Sequence, residues 1–69
     1  MEFLEAAITV LKEEGRPLHW TVIQDIALKR GYLDPFEQRH IRKNLLASLA
    51  RAAREGALRK EGTGVYALA

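Results

Sequence analysis

The sequence predicts a mainly helical fold in which three helices are followed by a small C-terminal β-hairpin. Apolar residues recur at helical spacing through the first half of the chain, and a strong helix start stands at its middle. The stretch LRKEGTGVYAL, residues 58–68, alternates on both sides of two glycines, as a short hairpin does. This order describes a winged helix-turn-helix with the hairpin as its wing. The 69 residues allow one domain, 1–69, with one small core.

The first helix is expected over residues 2–14. The apolar residues that share its buried face are Leu4, Ala7, Ile8 and Leu11. Gly15 is a suitable left-handed stop, and Pro17 prevents the helix from continuing. Leu18 is therefore predicted at the centre of a short extended bridge, which would add a third strand beside the hairpin.

The second helix is expected over residues 22–30, with Gly31 at its end. Thr21 is the predicted N-cap and Gln24 its capping-box partner, because these two side chains can satisfy free N–H groups of the first turn. His19 is expected to hydrogen-bond the turn into this helix, since a lone histidine beside apolar neighbours is seldom a ligand.

The third helix is predicted to run from Pro35 to about Glu55, where Gly56 closes it. Asp34 is a favourable N-cap, and proline is favoured at the first helical position. The core stripe of this helix comprises Ile41, Leu45, Leu49 and Ala52.

Three cations share the outward face of this helix: Arg39, Arg42 and Lys43. No acidic residue stands four positions from any of them, so local ion pairs do not explain the face. The third helix of a winged helix enters the major groove, and these residues are therefore predicted to contact double-stranded DNA.

Positive charge is concentrated in the second half of the chain. Residues 1–34 contain four Lys or Arg against six Asp or Glu, whereas residues 35–69 contain seven against three. This asymmetry favours a surface that faces a polyanion, and ordinary solubilising charge is the competing interpretation.

The wing is predicted to hold the adjacent DNA backbone. Arg59 and Lys60 stand at its base, and Thr63 lies between the two glycines of the tip, where its hydroxyl can meet a phosphate. Glu61 opposes phosphate binding. The wing is also expected to close the core through Leu58, Tyr66 and Leu68.

Two alternatives remain open. A plain three-helix bundle with a frayed tail is the alternative fold, and the strand propensity of VYAL, residues 65–68, argues against it. Protein binding without DNA contact is the alternative function. It predicts an exposed apolar patch around Leu46, Trp20 or Tyr32.

Catalysis is not expected. The two histidines lie on different elements, Ser48 has no base beside it, cysteine is absent, and no phosphate loop or dinucleotide fingerprint occurs. We therefore predict no cofactor and no metal. No apolar run approaches the roughly 20 residues that span a bilayer, and the N-terminus lacks the features of a secretory signal. A cytoplasmic location without membrane contact is expected, and the oligomeric state is left open.

Two stretches resemble the HARE-type helix-turn-helix family. EAAITVLKEEGRPLHWTVIQDIALKRG, residues 5–31, resembles its opening, with a G-x-P-L-H bridge, and NLLASLARAAREGALRKEGTGVYAL, residues 44–68, resembles its G-x-G-x-Y-x-L ending. The resemblance implies a winged-helix fold and a DNA-associated, transcription-related role. The family is similar to the N-terminal domain of the bacterial RNA polymerase delta subunit, which implies docking on RNA polymerase or another transcription component as the alternative. The chain departs from the family at DPFEQRHIRKN, residues 34–44, where a T-P-x-x-T start is common.

Overall fold

A computed structural model describes all 69 residues and shows three helices with a three-stranded antiparallel sheet. The elements are α1 (Phe3–Glu14), β1 (Leu18–His19), α2 (Trp20–Lys29), α3 (Ile41–Glu55), β2 (Leu58–Gly62) and β3 (Val65–Leu68). The predicted winged helix-turn-helix is confirmed, and Gly15, Gly31 and Gly56 follow the three helices as expected. None of the helices combines the length and apolar character needed to cross a bilayer.

The sheet has β3 at its centre, with β1 on one side and β2 on the other. Leu18 pairs with Tyr66 across β1 and β3, so the predicted third strand beside the hairpin is present. On the other side Lys60 also pairs with Tyr66, and an irregularity between Lys60 and Gly62 leaves Glu61 outside the regular ladder. The hairpin is therefore attached to the helical body through β1.

One hydrophobic core joins all three helices to the sheet. Its largest fully buried side chains are Val10, Leu11, Ile23, Leu33, Leu45 and Leu49. The predicted stripe on α3 is confirmed, because three of its members are buried and Ile41 packs against them. Leu58 and Tyr66 are buried as expected, but Leu68 is 37% exposed. Leu68 stands at the end of β3 on the rim of a shallow groove, where little of the core reaches it.

The start of α2 differs from the prediction. His19 is the N-cap, and its Nδ1 accepts the Thr21 N–H at 3.3 Å and lies 2.8 Å from Thr21 Oγ1. Thr21 is already inside the helix, and Gln24 Oε1 is buried without a partner, so no capping box forms. The cause is the sheet, since β1 runs to His19 and the helix begins directly after it. The expected hydrogen bond from His19 to this turn is confirmed.

The start of α3 also differs from the prediction, because α3 begins at Ile41 and not at Pro35. His40 has a left-handed backbone with φ 52°, which an L-residue adopts at a cost and which interrupts the helical path. Residues 35–40 therefore form a loop. Arg39 lies in this loop, so its predicted place on the outward face of the third helix is wrong.

Asp34 nevertheless begins a single turn. Its Oδ1 accepts the Phe36 N–H at 2.9 Å, and its carbonyl oxygen accepts the N–H groups of Glu37 and Gln38. The Gln38 side chain then folds back, accepting from Asp34 N at 2.9 Å and donating to the Met1 carbonyl at 2.8 Å. These side-chain bonds accompany the loop that replaces the predicted first turns of the helix.

Candidate nucleic-acid interface

Arg42 and Lys43 lie in the first turn of α3, and both side chains are exposed. Neither has a carboxylate oxygen within 4.0 Å, and this first turn contains no acidic residue. Positive charge at a helix N-terminus is unfavourable because the helix dipole already places positive potential there. By contrast, α1 and α2 carry Lys12 and Lys29 in their last turns, where cations are favourable. Helix stability therefore does not account for Arg42 and Lys43.

Arg42 is held at the surface by an aromatic ring. Its Cζ lies 5.7 Å from the centroid of the Trp20 indole, within the range of a cation–π contact. Trp20 is half-buried and packs against the core. The guanidinium thus keeps its full charge and its hydrogen-bond donors while the ring restrains its position.

The turn of the wing packs against the same tryptophan. The Gly64 carbonyl oxygen accepts the Trp20 N–H at 2.8 Å. A Cβ at Gly64 would lie 3.0 Å from Trp20 Cδ1 and 2.8 Å from His19 Nε2, and the φ of Gly64 is +72°. Only glycine suits this close approach and this backbone conformation. The exposed Thr63 precedes Gly64, so the wing turn and the start of α3 meet at Trp20.

The two cations at the base of the wing differ from each other. Lys60 is exposed and has no carboxylate oxygen within 4.0 Å. The Arg59 Nε donates to Glu61 Oε1 at 2.9 Å, and Arg59 also lines the shallow groove beside Pro17. Glu61 therefore neutralises part of the charge that Arg59 would bring to a phosphate.

Arg39 is exposed and unpaired in the loop before α3. Its carbonyl oxygen accepts a hydrogen bond from Asn44 Nδ2 at 2.8 Å, which ties the loop to the first turns of the helix. Arg39 thus lies beside the start of α3 although it is not part of the helix. Among the five cations predicted to face DNA, Arg59 is the one with an acidic partner.

The Trp20 contacts were not predicted from the sequence. Trp20 was a lone aromatic residue at a helix boundary, and no spacing relates it to Arg42 or Gly64. The exposure of Phe36 was not predicted either, because the residue was assigned to the first turn of a helix. Phe36 is 97% exposed, whereas the three residues named for a protein-binding patch, Leu46, Trp20 and Tyr32, are each half-buried.

A second charged cluster ties the end of α1 to the residues after α2. Arg30 donates to Glu13 Oε1 at 2.7 Å and to Glu14 Oε2 at 3.0 Å, and the Tyr32 hydroxyl donates to Glu13 Oε2 at 2.5 Å. The bond from Tyr32, followed by those from Arg30, holds the pKa of Glu13 below its usual value. The same bond to Glu13 raises the pKa of Tyr32. This cluster uses its charges inside the protein, and no group of acidic, His or Cys side chains is arranged to hold a metal.

The fold and the exposed start of α3 define a winged helix-turn-helix domain of the DNA-binding type. Residues 1–68 match the model of the HARE-HTH family, whose description covers the helix-turn-helix domain of ASXL and restriction endonuclease proteins. The chain belongs to the HARE-HTH family, as its sequence motifs indicated. This is a family of helix-turn-helix domains and not of enzymes, although restriction endonucleases are among the proteins that carry the domain. No curated protein and no solved structure gives a significant match.

Proposed function

We propose that this protein is a DNA-binding module that contacts the duplex with the first turn of α3 and with the wing. The observation that supports it most is the exposed, unpaired pair Arg42 and Lys43 at a helix N-terminus, in a chain of the HARE-HTH family. A helix presented in this way enters the major groove with its N-terminal residues at the base edges. A transcription-related or DNA-associated accessory role in the cytoplasm follows from this proposal.

Each side chain has a separate part in the proposed contact. Arg42 can bond guanine O6 and N7 bidentately, and Lys43 suits a phosphate because its ammonium is a point charge. Lys60, Thr63 and Arg59 would hold the adjacent backbone from the wing, with Arg59 weakened by Glu61. Arg39 would contact the backbone beside the start of α3. So few phosphate contacts give modest affinity with a steep dependence on salt.

Docking on a protein, such as RNA polymerase or another transcription component, is the second candidate function. One observation favours it: Phe36 presents an almost fully exposed aromatic side chain on the loop before α3. Large aromatic side chains are the usual anchors of protein interfaces. In that case duplex DNA would not be the ligand, and the basic turn of α3 would serve a protein surface of opposite charge.

The test is fluorescence anisotropy of a labelled duplex at several salt concentrations. The variant Arg42→Ala/Lys43→Ala is compared with Lys12→Ala/Lys29→Ala, which removes the same charge from exposed positions on α1 and α2. We expect the first variant to bind at least about tenfold more weakly than wild type, equivalent to about 1.4 kcal/mol. Its salt slope should fall by about 0.9 for each phosphate that the variant no longer neutralises. The control should bind within about twofold of wild type.

Two results would contradict the proposal. The first is wild-type protein that does not bind duplex DNA even at low salt. The second is an equal loss of affinity in both variants, which would mean that only net charge matters and that α3 has no special place in the contact.

A further inference from the structure

We propose that Trp20 is the positioning residue of the DNA contact: it holds the Arg42 guanidinium over its indole ring in the orientation that the duplex meets. This inference rests on the proposed function. It gives Trp20, which has no predicted contact with DNA, a role through Arg42, and it explains why an unpaired arginine at a helix N-terminus stays ordered.

The indole is held independently of Arg42. Trp20 is the first residue of α2, directly after β1, and its N–H donates to the Gly64 carbonyl of the wing turn at 2.8 Å. His19, the residue before it, pairs with Val65 in the sheet. The backbone at Trp20 is thus tied to the sheet on one side and to a helix on the other, and the side chain packs against the core.

Arg42 depends on the ring for its position. No carboxylate oxygen lies within 4.0 Å of its guanidinium, so its partner is the Trp20 face at 5.7 Å. A free arginine side chain on a surface samples many rotamers, and ordering it on binding weakens affinity. A ring beneath the guanidinium restricts these rotamers in advance and leaves the five N–H donors free to meet a base edge or a phosphate.

The wing turn is fixed against the same side chain. Gly64 lies so close to the indole that even a methyl group would approach Trp20 Cδ1 to 3.0 Å. The start of α3 and the turn of the wing are therefore both referred to one anchored ring. A duplex that contacts both would meet a single prearranged surface.

The first test is a double-mutant cycle measured by duplex binding. Trp20→Leu removes the ring and keeps an apolar side chain, while the backbone bond to Gly64 is retained. We expect Trp20→Leu to weaken binding by about two- to fivefold in the wild-type background, the range of an exposed cation–π contact. In the Arg42→Ala background the same substitution should have almost no effect. Trp20→Phe, which keeps an aromatic face, should recover part of the affinity.

A purely structural role for Trp20 predicts a different result. Trp20→Leu would then weaken binding equally in both backgrounds, and Trp20→Phe would help only as far as it restores thermal stability. That result would overturn the positioning role and leave the proposed function standing. Wild-type protein that fails to bind duplex DNA at low salt would overturn the proposed function, and the positioning role with it.

The second test needs no DNA. Trp20 is the only tryptophan of the chain, so intrinsic fluorescence reports on it alone. Arg42→Ala should change its emission, because a charge over the indole face is removed, whereas Lys43→Ala serves as the matched control and should not. Equal spectra for wild type, Arg42→Ala and Lys43→Ala would show that the contact does not persist in solution and would overturn the proposal.

Discussion

Two regions of this small domain use arginine in opposite ways. Arg30 lies between two carboxylates, with its nitrogen atoms 2.7 Å from Glu13 and 3.0 Å from Glu14, and it joins α2 to α1. Arg42 has no carboxylate within reach and lies instead over the face of Trp20. The first arrangement satisfies the guanidinium inside the protein, and the second leaves its donors unused.

The difference teaches that net charge alone is a poor guide to a binding surface. The chain carries a formal charge of only +2, yet its unpaired cations include two at a helix N-terminus, where the dipole disfavours them. Paired surface charges contribute little to stability, commonly about 0–1 kcal/mol. Unpaired charges at an unfavourable position are better explained by an anionic ligand, which agrees with the proposed function.

The largest expected effect concerns the packing that holds the unpaired region. Gly64→Ala should lower the free energy of unfolding by roughly 1–3 kcal/mol, because alanine is strained at positive φ and its methyl group would overlap His19 and Trp20. Chemical denaturation measures the change, and duplex binding should weaken in parallel. Gly62→Ala is the matched control, since Gly62 has an ordinary φ and nothing within 4 Å of the added atom. Equal destabilisation by both substitutions would show that the approach to Trp20 is unimportant.

A smaller effect is expected when a paired cation is converted to an unpaired one. Glu61→Gln should release Arg59 and strengthen duplex binding by about two- to fivefold at low salt, since an acid beside the proposed phosphate contact is removed. Glu55→Gln causes the same change in net charge at the other end of α3, where Glu55 pairs with Arg51 at 3.3 Å. If both variants gain equally, the wing makes no local contact with DNA.

The smallest effect concerns the paired region and its dependence on pH. Because the pKa of Glu13 is lowered in the folded state, its stabilising contribution is present above the ordinary value of 4.5 and is lost as pH falls through the folded value. The pKa of Tyr32 is raised, so its contribution is present below the ordinary value of 10.0 and is lost as pH rises through the folded value. Both contributions are complete at neutral pH.

Tyr32→Phe should therefore move the pKa of Glu13 upward, towards its ordinary value, because the largest cause of its shift is removed. Titration of the Glu13 side-chain carboxyl by NMR measures this change. Tyr66→Phe removes the hydroxyl of the only other tyrosine and should leave the Glu13 titration unchanged. Duplex binding at neutral pH should be the same for all three proteins. Weaker binding by Tyr32→Phe would contradict the division into a structural and a ligand-facing region.

Much of the fold follows from local sequence. Apolar spacing along α1 and α3 selects their buried faces, and glycines end all three helices, because these signals act within a few residues. The spaced motifs of the bridge and the hairpin were sufficient to indicate the HARE-HTH family. The exposure of Arg42 and Lys43 also followed from the helical period, since both lie opposite Leu45 and Leu49.

Tertiary structure decided the points at which distant residues compete with local signals. The favourable start at Asp34 yields only one turn, where Gln38 bonds to the far end of the chain at Met1 and His40 turns left-handed. Pairing of β1 with β3 moves the N-cap of α2 from Thr21 to His19.

The candidate site was decided in the same way. The contact of Arg42 with Trp20, the close approach of Gly64 and the pairing of Arg59 with Glu61 all depend on side-chain positions in space. By itself the sequence determined which helices and strands form and which face of α3 is basic. Which of those charges remain free, and what holds them, depends on contacts between elements far apart in the chain, and no local pattern encodes these contacts.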